Sequence, residues 1–272
     1  MPAGEGKGWA KGRRAKDDPR IARAAAAHRG MQYVPRVPPE QDRRRKSAPA
    51  VIEWKPKFAY ALGLLATDGA IVRGRTITFP SADRELVEHV LNCLGKINAI
   101  SEVRTKTGGV AYRTQIGDVA LCRWLPTIGI TARKSLVLGA VEVPDALLAD
   151  LLRGLLDGDG SIINKLARAD TGRTPNYYWE YLRTSFLSAS RAHIVWLRGR
   201  IDAAFGVQGY IATAQPREGH HEMYTLRFGK RASLKLLPLI YADPTAPRLS
   251  RKWRVWADYV KRHPSDSRLG NM

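Results

Sequence analysis

An apolar segment ending in Asp-Gly occurs twice in the chain, and this repetition constrains the fold more than any other feature. The two copies are ALGLLATDGAI at 61–71 and LRGLLDGDGSI at 152–162. Each is followed by a strand-like stretch with Phe-x-Ser and a helical stretch, TITFPSADRELVEHVLNCLG at 76–95 and RTSFLSASRAHIVWLRGRIDAAFG at 183–206. Internal repetition of this kind predicts two copies of one structural unit.

The similarity continues to the end of each unit. YRTQIGDVALCRWLPTIG at 112–129 aligns with YTLRFGKRASLKLLPLIY at 224–241, so each unit predicts the order αββαββα. We therefore expect an α+β fold of two tandem units related by a pseudo-twofold axis. Each unit would be a saddle of antiparallel sheet backed by helices. The predicted divisions are a basic N-terminal arm at 1–50, a first repeat at 51–140 and a second at 141–272.

The charge balance indicates a polyanionic partner. Lys and Arg number 45 against 25 acidic residues, which gives a net charge of +20. Nucleic acid is the usual partner of such a chain. A membrane surface is less favoured, because no basic amphipathic helix or lipidation signal is evident. The N-terminal sequence lacks the apolar centre of a signal peptide, and no apolar run approaches the roughly 18–20 residues that span a bilayer. We expect a soluble intracellular protein without a membrane partner.

The two Asp-Gly segments suggest paired helices with acidic ends. Gly63 and Gly154 occupy equivalent positions, and side-chain-free faces let two backbones approach closely. Face-to-face packing would bring Asp68 and Asp159 together at helix C-termini, where the helix dipole and mutual repulsion both disfavour them. Stability does not require this arrangement. Divalent cations with oxygen ligands, Mg²⁺ above all, would relieve both penalties.

Other aspartate motifs fit poorly. An EF-hand loop with Asp159 at its fifth position would need ligands at Leu155 and Leu166, which have none to offer. A glycosyltransferase Asp-x-Asp motif would need a nucleotide-binding fold, and Ala66 replaces its first aspartate in the other repeat. Two acids beside a basic surface instead favour phosphodiester hydrolysis.

At this level the chain resembles the LAGLIDADG homing endonucleases of the single-chain, two-repeat type. LRGLLDGDG is similar to the family signature, ALGLLATDG is a weaker copy, and the resemblance extends over about 51–262. It implies a monomeric endonuclease that cuts double-stranded DNA at a long pseudo-symmetric site, leaving 3′ overhangs. It further implies that Asp68 and Asp159 coordinate two or more Mg²⁺ ions, with Mn²⁺ able to substitute. Asp157 matches Ala66 in the first repeat, so we expect only a helix-end or hydration role there.

The family also has a basic residue in each half, which corresponds here to Lys134 in TARKS and Lys252 in LSRKW. A positioned ammonium group can stabilise the charge that develops on a phosphodiester or organise the attacking water. The alternative is that both are ordinary phosphate contacts or surface charges. Arg133 and Arg251 are neighbours that could substitute.

Alternation along the strands predicts a polar sheet face for DNA. Inward Ile77, Ile116, Phe186 and Phe228 leave side chains of Arg, Lys, Gln, Thr and Ser on the other face. Such residues suit base edges and phosphates in the major groove, although an ordinary solvated face looks similar. The predicted set comprises Thr76, Thr78, Arg104, Lys106, Arg113, Gln115, Arg183, Ser185, Thr225 and Arg227.

Three segments lie outside the repeat. Residues 1–50 contain 13 Lys and Arg against 5 acids, and are either a DNA-contacting arm or a solubilising tail. The second repeat has an insertion before PNYYWEYLRT, which is interpreted as a hairpin extending along DNA or as a packed extension. His220 and His221 lack metal-ligand spacing and are expected in an exposed loop.

Several alternatives remain. A relative without cleavage activity would act as an RNA-splicing maturase, with an intron RNA as partner, or as a DNA-binding regulator. Retention of both acids and both lysines favours the enzyme. An intein would have a nucleophilic first residue and a terminal His-Asn, and a DNA-packaging protein would not need paired acids at helix ends.

Overall fold

The structure, a computed structural model, describes residues 48–105, 108–169, 177–214 and 221–266. Lys106, His220 and the arm up to residue 47 lie outside the described residues. Residues Lys46–Met272 form one compact unit. No helix in the described ranges is long and apolar enough to cross a membrane.

Each repeat has the predicted order αββαββα. The first repeat consists of α1 (Pro56–Thr67), β1 (Ala70–Val72), β2 (Thr76–Ser81), α2 (Arg84–Cys93), β3 (Ile100–Arg104), β4 (Val110–Gly117) and α3 (Val119–Trp124). The second consists of α4 (Leu148–Gly158), β5 (Ser161–Ala169), β6 (Tyr177–Ser188), α5 (Arg191–Phe205), β7 (Tyr210–Ala214), β8 (Met223–Phe228) and α6 (Lys230–Ile240). A further helix, α7 (Ser250–Arg262), ends the second repeat, and its counterpart at the end of the first is only a 3-10 turn, Lys134–Leu136.

The two sheets have the same topology. Each has four antiparallel strands, in the orders β1-β2-β4-β3 and β5-β6-β8-β7. One face of each sheet packs on the helices through buried residues such as Ile77, Phe79, Phe186 and Phe228. The predicted α+β fold, with two pseudo-symmetric sheets backed by helices, is confirmed.

The central contact of the molecule joins α1 to α4. Both helices are almost wholly buried; α1 is apolar on nearly all sides, whereas α4 also buries the charged residues Arg153 and Asp157. A Cβ atom added to Gly63 would lie 2.8 Å from the Cα of Gly154 and 2.7 Å from the backbone nitrogen of Leu155. Only glycine permits this approach, which confirms the predicted packing of the two helices through their glycines.

The insertion in the second repeat lengthens one hairpin. β5 and β6 pair without interruption from Ser161–Ser185 to Ala169–Tyr177, whereas β1 and β2 pair over only three residues. Trp179 packs edge-on against Tyr181, and Arg183 lies over the Tyr181 ring. The segment therefore forms a long hairpin that packs against the end of α7, where Arg262 donates hydrogen bonds to Asn164 and Glu180. Its extension along DNA stays a prediction.

Candidate active site

The C-terminal ends of α1 and α4 meet at the centre of the molecule. A Cβ atom on Gly158 would lie 2.7 Å from the Cβ of Thr67, so the last turns of the two helices are in contact. Asp68 and Asp159 are the next residues, and each is the C-cap of its helix. The repeat therefore places one carboxyl group on each side of a pseudo-twofold axis.

The two carboxyl groups interact electrostatically. Burial, and then the negative charge of Asp159, raise the pKa of Asp68 to about 6, against opposing effects of a Thr67 hydrogen bond and of two lysines. Asp159 is more exposed, yet desolvation by the packed helix ends also raises its pKa. Among the described residues neither carboxylate has an ion pair that would account for its position, so ionising both in this enclosed place costs free energy.

Lys134 and Lys252 lie beneath the two helix ends. The Lys252 ammonium group donates hydrogen bonds to the carbonyl oxygens of Leu156, Asp157 and Gly158 at 2.8, 2.7 and 2.9 Å. The Lys134 ammonium group donates to the carbonyls of Thr67, at 3.3 Å, and Gly69. Each lysine thus satisfies carbonyl groups that a helix end leaves without partners.

These lysines are buried rather than surface charges. Their exposed fractions are 7% for Lys134 and 6% for Lys252. Burial lowers the pKa of Lys252 to about 8 and also lowers that of Lys134, while the nearby aspartates act in the opposite direction. The arrangement is a centre of two carboxyl and two ammonium groups, one of each from either repeat.

The arginines next to the lysines occupy other positions. Arg251 makes a bidentate contact with Asp83, with its Nε and Nη2 donating at 2.9 and 2.8 Å, and is thereby directed to the N-terminus of α2. Arg133 is exposed on a turn. Arg251 is therefore engaged elsewhere and is not placed to substitute for Lys252.

Asp157 has a structural position that the sequence did not reveal. It is fully buried, and its Oδ2 accepts hydrogen bonds from the Tyr60 hydroxyl at 2.9 Å and the Leu249 amide at 2.8 Å. Burial raises its pKa to about 6. The expected hydration role was wrong, because this carboxyl group ties α1 and the start of α7 to α4 out of contact with solvent.

Most of the predicted polar face lies on the side of the sheets away from the helices. Cross-strand pairs share a face, and Thr78 pairs with Gln115 as Ser185 pairs with Arg227. The residues on this face are Thr76, Thr78, Arg113, Gln115, Arg183, Ser185, Thr225 and Arg227. Of these, Ser185 is only 7% exposed and shares a hydrogen bond with Ser161, so it was wrongly expected to be open to solvent.

The placement of Arg104 was wrong. Arg113 on the outer face pairs with Ser101, and Arg104 pairs with Val110. Because side chains alternate along a strand, Arg104, three residues after Ser101, belongs to the opposite face. Lys106 lies outside the described residues. The sequence analysis did not predict Ser161 as an outer-face residue. It lies two residues after Asp159, as Ala70 lies two residues after Asp68, so the alignment of the two repeats could have identified it.

Metal ligands in this centre would be few. No group of three or more His, Cys, Asp or Glu side chains suited to a metal is found within the described ranges. Two carboxyl groups with raised pKa values nevertheless fit Mg²⁺, which is commonly held by one or two carboxylates, with waters and substrate phosphates completing its shell. Asp68 and Asp159 are the residues that would hold it.

Comparison with known proteins gives structural similarity alone. No protein-family model and no curated protein matches the sequence. The homing endonuclease I-WcaI bound to its DNA recognition sequence superposes with a TM-score of 0.50, at 11% identity, over 82% of this chain and 94% of that chain. Meganuclease I-SmaMI bound to uncleavable DNA superposes with a TM-score of 0.51, at 13% identity, over 78% and 92%.

Full-length DUF199/WhiA from Thermatoga maritima has 13% identity and a TM-score of 0.47, and the match covers 78% of this chain but only 63% of that one. The two DNA-bound structures above match this chain over nearly their whole length. The described part of the chain therefore has the two-repeat α+β fold of LAGLIDADG homing endonucleases.

Proposed function

We propose that this protein is a site-specific endonuclease that hydrolyses both strands of double-stranded DNA in the presence of Mg²⁺. The observation that carries the proposal is the junction of α1 and α4, which brings Asp68 and Asp159 together at a cost in stability that folding alone does not explain. The net charge of +20 and the polar outer faces of the two sheets agree with a duplex as the substrate.

The two aspartates and the two lysines would have different roles in hydrolysis. Asp68 and Asp159 would hold Mg²⁺, which lowers the pKa of bound water and stabilises charge on phosphate oxygens. Lys134 and Lys252 would hold the helix ends that carry the carboxyl groups and supply positive charge near the scissile phosphates. One carboxyl group and one lysine come from each repeat, so each half would serve one strand. Because both halves are present in one chain, a monomer would suffice.

The outer sheet faces would read the sequence. Arg113 and Gln115 from β4, with Thr78 beside them, lie on the outer face of the first sheet, and Arg183 and Arg227 lie on the outer face of the second. Arg pairs well with guanine and Gln with adenine in the major groove. The two faces differ in composition, so the two half-sites would differ in sequence.

The test uses a randomised duplex library with Mg²⁺ and the wild-type protein, followed by sequencing of bound and of cleaved DNA. We expect enrichment of one long site and double-strand cuts within it. The Asp68→Asn, Asp159→Asn double variant is expected to bind this site without cutting it. Asp258→Asn, which removes an exposed carboxylate on α7, is the matched control and should cut normally.

Two results would contradict the proposal. Cleavage that survives in the double variant would remove Asp68 and Asp159 from the reaction. Specific binding by the wild-type protein, with no cleavage in Mg²⁺ or Mn²⁺, would identify a DNA-binding regulator or a maturase, and binding to intron RNA would then separate those two.

A further inference from the structure

The segment that carries Lys134 is held by the second repeat. At the N-terminus of α5, the Ser190 hydroxyl donates to the carbonyl of Leu138 at 2.6 Å, and Nδ1 of His193 lies 2.8 Å from the carbonyl of Gly139. Because a carbonyl only accepts, this Nδ1 carries the hydrogen. Both side chains are nearly inaccessible to solvent, at 1% and 3%. We call these contacts the α5 brace.

The segment that carries Lys252 is held by the first repeat. On α2, Nε2 of His89 lies 3.0 Å from the carbonyl of Arg248, and Glu85 accepts from the amide and hydroxyl of Ser250 at 3.1 and 2.5 Å. Asp83 at the start of α2 adds the contact with Arg251. We call these contacts the α2 brace.

Each brace connects the two repeats, because a helix of one repeat holds the lysine segment of the other. Lys134 donates to the end of α1, in the first repeat, but its segment is held by α5 of the second. Lys252 donates to the end of α4, in the second repeat, but its segment is held by α2 of the first. The Lys252 segment also has contacts within its own repeat: Arg153 donates to the Pro247 carbonyl, and the Leu249 amide donates to Asp157.

We propose that His193 and His89 are positioning residues, each of which fixes the lysine that serves the other repeat's helix end. This inference rests on the proposed nuclease function for its effect on cleavage, although the braces themselves are a matter of structure. Its consequence is that neither half of the centre is complete without the opposite repeat, so a disturbance of one repeat changes the reaction on the strand assigned to the other.

A lysine segment must be held in place because its ammonium group donates to acceptors in a buried position. Lys134 reaches its carbonyl acceptors only if residues 134–139 remain seated, because the 3-10 turn at Lys134–Leu136 is too short to hold itself. The Ser190 and His193 contacts lie four and five residues beyond Lys134 and close that segment. Loss of one buried donor leaves a carbonyl without a partner and favours release of the segment.

The first experiment measures lysine accessibility in the full-length protein without DNA. Brief acetylation with a small amine-reactive reagent, followed by peptide mass spectrometry, gives the labelling rate of each lysine. His193→Leu removes the donor and should raise labelling of Lys134 about fivefold, the change expected from the loss of one hydrogen bond, and leave Lys252 unchanged. His89→Leu should do the reverse.

Conservative variants test the hydrogen bond itself. His193→Asn places an N–H near the Nδ1 position and His89→Gln places one near the Nε2 position, so each should restore the low labelling rate. Val195→Ala on α5 and Asn92→Ala on α2 alter exposed positions on the same helices and serve as matched controls. An equal rise at both lysines in either Leu variant, or no rise at its own lysine, would overturn the proposal.

The second experiment follows the two DNA strands separately, with a different label on each. His193→Leu should shift the ratio of nicking rates in the same direction as Lys134→Met, and His89→Leu should shift it oppositely, in the direction of Lys252→Met. An equal fall in the nicking rates of both strands would refute the proposal that each histidine positions the lysine of the opposite repeat. If the wild-type protein cuts no duplex, the nuclease function fails, whereas the labelling result still decides whether the braces hold the lysines.

Discussion

Gly63 and Gly154 face each other across the junction of α1 and α4, and a Cβ atom on either would lie 2.8 or 2.9 Å from the Cα of the other. The contact is possible because neither residue has a side chain, and it sets how closely the two helices approach. Asp68 and Asp159 each lie five residues further along the chain, so the glycine pair sets the geometry of the two carboxyl groups.

Alanine at the helix junction is therefore expected to be strongly destabilising. In Gly63→Ala or Gly154→Ala the added methyl group meets backbone atoms that cannot move aside, and we expect a loss of about 3 kcal/mol or more in the free energy of unfolding. Gly199→Ala, in the exposed middle of α5, adds a Cβ with no atom from outside its own helix backbone within 4 Å, and should instead stabilise by about 0.5–1 kcal/mol. Urea denaturation measures both, and equal effects at the three positions would contradict the close packing.

Asp68→Asn should stabilise the metal-free protein at neutral pH. The folded-state pKa of Asp68, about 6, is above its unfolded value, so ionisation in the folded protein costs stability. The stability of the wild type relative to the variant should fall as the pH rises from about 4 through about 6, and then stay constant, with a total difference of up to about 3 kcal/mol.

Thermal unfolding of both proteins from pH 4.5 to 8 checks this, with Asp258→Asn as the control for the removal of an exposed carboxylate. A variant that is less stable than the wild type at pH 7.5 would show that the Asp68 carboxylate is well compensated in the fold. Addition of Mg²⁺ should reduce the difference in stability between the variant and the wild type, because the ion would bind only the wild-type pair of carboxyl groups.

Asp157 is expected to matter for folding and not for the reaction. Asp157→Ala would leave the Tyr60 hydroxyl and the Leu249 amide buried without an acceptor, at a cost of about 2–4 kcal/mol. Asp157→Asn retains an acceptor oxygen and should stay within about 1 kcal/mol of the wild type. Guanidinium unfolding measures the free energy of unfolding of both variants. DNA cleavage by Asp157→Asn should be preserved, and a loss of cleavage would show that Asp157 takes part in the reaction.

The basic arm should contribute to DNA affinity through its positive charges. We expect a protein lacking residues 1–45 to fold, because Lys46–Met272 forms one compact unit in which Lys96 and Asp118 hold Ala48 and Ala50. We expect the shortened protein to bind DNA with a weaker dependence on salt, since the slope falls by about 0.9 for every phosphate that the arm would otherwise neutralise. Titrations across a range of salt concentrations test this, and an unchanged slope would identify the arm as a tail that does not touch DNA.

The repeat made the fold predictable. Two copies of one pattern, each with period-2 strands and apolar helices, left few architectures open, and the glycines at matching positions indicated which helices would touch. The alternation of side chains predicted the two faces of a strand correctly wherever a large apolar residue identified the inner face, as at Ile116 and Phe228. Arg104 had no such marker, and only the register between β3 and β4 showed that it lies on the opposite face.

The sequence by itself determined that two acid-ended helices would meet, and the family resemblance indicated a lysine for each. It did not determine what holds those lysines, because His89 and His193 act on carbonyls 159 and 54 residues away, and no local pattern encodes such pairs. Tertiary structure also decided the role of Asp157, whose partners come from α1 and from the start of α7. Backbone carbonyls are the same at every residue, so their partners are chosen only when the chain packs.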